Sequence, residues 1–132
     1  MIFARWTLVL PAAVMCAYGA YIVGSTVNNI SFYLIIGSLS GWAKIASDAM
    51  AHIYLGGAFC YSAVRIAPSA PRYIASAAFA LLLAFASLLI WSMFAIAKFY
   101  VLPAVGGALF GGLTVLIATF QGEVVPFGTS PN

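Results

Sequence analysis

YIASAAFALLLAFASLLIWSMFAIAKFYVLPAVGGALFGGLTVLIATF, residues 73–120, contains a single charge, Lys98. A helix needs about 20 predominantly apolar residues to cross the hydrocarbon core of a bilayer. The stretch is too long for one crossing and suits two. Lys98 therefore marks a tight hairpin between a third helix, about 73–96, and a fourth, about 101–120. Pro103 fits the opening turn of the fourth helix, where a missing N–H costs little.

Upstream, Arg65-Ile-Ala-Pro-Ser-Ala-Pro-Arg72 is the clearest loop in the chain, because its prolines end one helix and begin another. Before it lies a run of about 42–64, the least hydrophobic of the four, which carries Lys44, Ser47, Asp48 and His52. The first apolar run is about 6–24. Pro11 removes one of its backbone bonds, to the carbonyl of Thr7, and is expected to bend it there. Arg5 followed by apolar residues resembles a signal peptide with a cleavage site at residues 17–20. The run continues to Gly24, however, which is long enough to span, and is read as retained.

Between these runs, Ser25-Thr26-Val27-Asn28-Asn29 reads as a polar break, with a turn at Asn28-Asn29. The apolar piece Ile30–Ile36 that follows is too short to cross. Residues 25–40 are expected as a short interfacial or re-entrant segment. The alternative is one long helix that starts near Ile30 and bends at Gly37 and Gly41. Residues 121–132 read as a short polar tail. The expected fold class is an all-α integral membrane protein, a four-helix antiparallel transmembrane bundle forming a single polytopic domain over residues 1–132.

Composition supports that class. Hydrophobic residues make up 65% of the chain and charged residues 5%, with a mean hydropathy of +1.13. Soluble domains carry about 25% charge, and a chain this short cannot hide so much apolar surface in its own core. The net charge of +3 does not indicate nucleic acid. The five basic residues, Arg5, Lys44, Arg65, Arg72 and Lys98, are spread out rather than gathered in a patch. They instead set an orientation. With both termini cytoplasmic, Arg5, Arg65 and Arg72 lie inside and Lys98 outside, as the positive-inside rule favours. A bacterial inner membrane is the expected location. Trp6, Tyr61, Tyr73 and Phe120 form one aromatic level, and Tyr21, Trp42, Trp91, Phe99 and Tyr100 the other.

Lys44, Asp48 and His52 are spaced i, i+4, i+8 and form one stripe on a helix. Ionisable groups inside a span are costly and often mark an ion or proton path. Histidine is the side-chain type that changes charge nearest neutral pH. A structural reading stands beside this one. Lys44 can snorkel to water, Asp48 can neutralise it, and His52 can bond to a neighbouring helix. Cys16 and Cys60 have neither CxxC nor metal-ligand spacing and read as small buried residues at helix contacts. One histidine is too few for a bis-histidine haem, and only a site shared with another subunit would serve. No metal and no cofactor are expected.

Small residues supply packing signals. Ala12, Cys16, Ala20 and Gly24 form a seam on the first helix, Ser76, Ala80 and Ala84 one on the third, and Gly107 and Gly111 a GxxxG pair on the fourth. Such seams let backbones approach, either within the chain or against a partner. With no nucleophile–base pair, phosphate loop or paired carboxylates, an enzyme is not expected. The membrane-embedded glutamate of the small multidrug transporters is missing from the first helix. Three functions remain. The first is a non-enzymatic accessory or assembly subunit of a larger membrane complex. The second is a small homo-oligomeric transporter or channel using Lys44, Asp48 and His52. The third is an immunity or exclusion-type membrane protein. The expected partners are the lipid bilayer and a membrane protein or a second copy.

Overall fold

The computed structural model describes residues 2–38, 41–96 and 101–128, all helix and short connections. The helices are α1 (Ile2–Ile36), α2 (Trp42–Ile66), α3 (Pro71–Ile96) and α4 (Leu102–Phe120). Three of them, α1, α3 and α4, are long and apolar enough to cross a membrane. The proposed hairpin at Lys98, with Phe99 and Tyr100, lies outside the described residues.

The segment after the first apolar run corrects the reading given above. There is no break at Ser25–Asn29, and among the described residues of 25–40 no separate interfacial or re-entrant piece. α1 continues for 35 residues, about 52 Å at 1.5 Å per residue. Its polar residues fit a helix because their hydroxyls bond inside it. Thr26 Oγ1 donates to Ile22 O at 2.8 Å and Ser31 Oγ to Val27 O at 2.8 Å. The helix also runs on through Pro11. It ends at Gly37, whose N–H donates to Tyr33 O at 2.9 Å and whose φ of 76° a side chain would disfavour.

α2 is the central helix. It packs closely on α1 and α4 and more lightly on α3, which in turn rests on α4. This explains why the least apolar helix can lie in the middle, since its neighbours cover it. α2 and α4 cross with their backbones touching. A Cβ added to Gly107 would overlap Ala49 O, and one added to Gly111 would overlap Ile53 O and approach Gly57 N to 2.9 Å. Small residues permit this approach. On α1 the inward face is Ala13, Ala17, Gly24 and Asn28, with the Gly24 backbone against the Tyr54 ring of α2. All four helices meet around Ala13, Cys60, Ala63 and Ala78, with Val115 of α4 beside them.

Three arginines gather at one end. Arg5, near the start of α1, donates from Nε to Ile66 O at 3.2 Å, where α2 ends. Arg72, in the first turn of α3, donates to Phe120 O, where α4 ends, at 3.3 Å. The segment after α4 does not project as a polar tail. It folds back over the end of α2, with Val124 buried against Val64 and Ala75. Phe127 N donates to Arg65 O at 2.9 Å, and Arg65 Nη1 donates to Val125 O at 2.9 Å. At the opposite end, Asn29 of α1 meets Ser47 of α2, and the Phe32 ring stands edge-on to Trp42.

Candidate functional site

The polar residues of the chain's middle fall into two groups on the N-terminal half of α2. The first joins α1 to α2. Ser47 is buried, with 1% exposure, and its hydroxyl donates to Asn29 Oδ1 at 2.7 Å. Asn28 is also buried, and its Nδ2 has no hydrogen-bond partner among the described residues. Asn28 and Asn29 therefore do not form a turn. They carry the inward face of α1 one turn beyond Gly24. The signal for this was in the sequence, since Ala13, Ala17, Gly24 and Asn28 repeat at whole-turn spacings straight through the apparent break. Replacing Ser47 by alanine removes the inter-helix bond and leaves Asn29 Oδ1 unpaired. The expected loss is about 1 kcal/mol, measured by thermal unfolding in a mild detergent.

The second group is the Lys44, Asp48, His52 stripe. Lys44 is exposed, and Asp48 and His52 are half-buried. Neither Lys44 nor Asp48 forms an ion pair with a described residue. His52 bonds within its own helix rather than to a neighbour, with Nδ1 2.6 Å from the backbone oxygen of Asp48. A carbonyl only accepts, so Nδ1 carries the hydrogen and Nε2 is the acceptor of the neutral ring. The Asp48 carboxylate is not part of that bond. Tyr21 of α1 packs edge-on against the imidazole, with ring centroids 5.0 Å apart.

His52 also lines a cavity of about 390 Å³ bounded by all four helices. Val14 and Tyr18 contribute from α1, Phe85 from α3 and Leu109 from α4. The cavity has the size of a small-molecule pocket, but its walls are almost wholly hydrocarbon. It provides a space for apolar groups.

The other singled-out residues separate. Gly107 and Gly111 are buried in the α2–α4 crossing. On α1, Gly24 is buried, Ala12 and Ala20 flank the inward face, and Cys16 is exposed. The face that meets α2 is rotated by one residue from the seam read in the sequence. Cys60 is buried and Cys16 is not, so only one of the two is a small buried contact residue, and both are free. Ser76, Ala80 and Ala84 are exposed on α3. Among the described residues no group of three or more His, Cys, Asp and Glu side chains stands close enough to hold a metal ion. The arginine-held segment after α4 was missed in the sequence. Its apolar run Val124-Val125-Pro126-Phe127 was the available signal.

Comparison of the chain with protein-family models, with curated proteins and with solved structures returns no match.

Proposed function

We propose that this chain is an integral membrane protein whose four helices cross the bilayer up and down, with both termini on the cytoplasmic side, and that it serves as a non-enzymatic accessory subunit of a larger membrane assembly. The outer surface supports the embedding. Large apolar side chains such as Met15, Leu34, Phe85 and Trp91 are exposed along the helices. The exposed hydroxyls of Thr26, Ser31, Ser87 and Thr114 each donate to the carbonyl one turn back, which satisfies them without water.

The observation that carries the subunit reading is Asp48. It stands six residues into α2, about 9 Å along the axis, without an ion-pair partner among the described residues. A lone carboxylate at that depth is costly in lipid, and such groups pair with another polar group. A donor on a neighbouring membrane protein would meet it. Purification of the tagged chain from carbonate-washed native membranes in mild detergent tests this. A stoichiometric partner is expected with the wild type, and Asp48→Asn should weaken the affinity for it about thirtyfold or more, since truncating one side of a buried charged pair costs about 2 kcal/mol or more. Recovery of no partner, or equal recovery with Asp48→Asn, would refute the reading.

A second reading, a small homo-oligomeric transporter or channel, is favoured by the stripe leading from exposed Lys44 to His52 at the cavity wall. Its test is proton flux into liposomes. Flux that Asp48→Asn and His52→Ala leave unchanged would exclude the stripe.

A further inference from the structure

The arginine end of the protein carries three cations, and Glu123, in the segment folded over it, forms no ion pair with them. The acceptors of Arg5, Arg65 and Arg72 are all backbone carbonyls: Ile66 O and Phe127 O for Arg5, Val125 O for Arg65 and Phe120 O for Arg72. None of the three pairs with a carboxylate among the described residues. A guanidinium has five N–H donors. Arg5 uses two of them, and Arg65 and Arg72 one each, on described partners. Two of the cations lie over aromatic rings. The Arg65 guanidinium carbon is 4.0 Å from the Phe127 centroid, and that of Arg72 is 5.7 Å from Phe120. Stacking covers the faces of a guanidinium and leaves its edge, where the N–H groups point, for an oxyanion.

We infer that this end binds the phosphate of an anionic phospholipid, with Arg5 and Arg72 as its principal contacts. The inference rests on the membrane reading above. The cluster lies where α1 begins and α2 and α4 end, beside Tyr61, the level at which aromatic residues and headgroups meet in a membrane protein. Clustered basic residues at that level recognise anionic lipid. Arg65 is already committed to the segment after α4. Arg72 is exposed and Arg5 half-buried, with four and three of their five N–H donors, respectively, unused on described partners.

The test uses the full chain in a non-ionic detergent and follows its thermal unfolding. Phosphatidylglycerol, phosphatidylcholine with the same acyl chains, and inorganic phosphate are titrated separately. Phosphatidylglycerol is expected to raise the midpoint at concentrations where the other two do not. Its half-saturating concentration should rise about fivefold in Arg5→Gln and again in Arg72→Gln, the factor that matches about 1 kcal/mol per basic residue at an anionic surface. Equal shifts from the two lipids would overturn the inference. So would a shift from inorganic phosphate alone, which would mark a site for a free anion, and so would unchanged titrations in both variants. If a variant fails to fold, the three additives on the wild type still decide. Loss of the chain from alkaline-washed membranes would instead refute the membrane reading itself, which separates the two failures.

Discussion

Gly56→Leu is expected to destroy the native packing of α2 against α4. A Cβ at Gly56 would fall on the backbone of Ala108, with the Ala108 carbonyl carbon 2.7 Å away and its Cα 2.9 Å away. These are main-chain atoms of a packed helix and cannot rotate aside, as the end of a side chain can. The two helices would have to separate along the whole contact that also contains Ala49, Ile53, Gly107 and Gly111. Overpacking a core by a few methylenes costs 1–3 kcal/mol. Here the obstruction is backbone, and a loss of about 3 kcal/mol or more is expected. Thermal unfolding in mild detergent, followed by circular dichroism, would show this as a collapse of the cooperative transition.

The same geometry predicts the opposite result at other glycines. Gly19 of α1 and Gly106 of α4 have nothing within 4 Å of an added Cβ. Alanine at either should be neutral or stabilising by up to about 1 kcal/mol, because glycine is a poor helix former. Gly106 adjoins Gly107, and Gly107→Ala should destabilise. If neighbouring substitutions of the same type behaved alike, the α2–α4 crossing would be wrong.

That contrast shows where the sequence was informative. Four helices were legible because long apolar runs have few alternatives and because Pro68 and Pro71 interrupt the chain where α2 gives way to α3. The length of α1 was not legible. Ser25, Thr26, Asn28 and Asn29 suggested a turn, since such side chains compete for backbone groups. In the fold the Thr26 hydroxyl bonds one turn back, and Asn28 and Asn29 face α2. A polar cluster therefore signals a break only if no helix covers it, and coverage is a tertiary property. The stripe of Lys44, Asp48 and His52 could be read from spacing alone. The bond from His52 to the Asp48 backbone and the cavity beside it could not, because both depend on rotamer and on how α1, α3 and α4 pack around α2.

Arg65→Ala should release the segment after α4 from the bundle. Arg65 holds it in three ways. Its Nη1 donates to Val125 O at 2.9 Å, its carbonyl accepts from Phe127 N at 2.9 Å, and its guanidinium lies 4.0 Å from the Phe127 ring centroid. Alanine keeps the backbone bond and removes the other two. A hydrogen bond involving a charged group contributes about 1.5–3 kcal/mol, and a cation over an aromatic face about 0.5–2 kcal/mol depending on desolvation. The sum is reduced because Arg65 Nε is buried without a partner among the described residues, a cost the alanine variant no longer carries. A net loss of about 2 kcal/mol is expected, together with faster proteolysis and faster amide exchange confined to residues 121–128. A double-mutant cycle with Phe127→Ala isolates the stacking. The two single changes should sum to more than the double, because each removes the same contact. Strict additivity would mean that the ring and the guanidinium do not hold each other, and that the hydrogen bonds to Val125 O and from Phe127 N, with Val124 buried against Val64 and Ala75, anchor the segment.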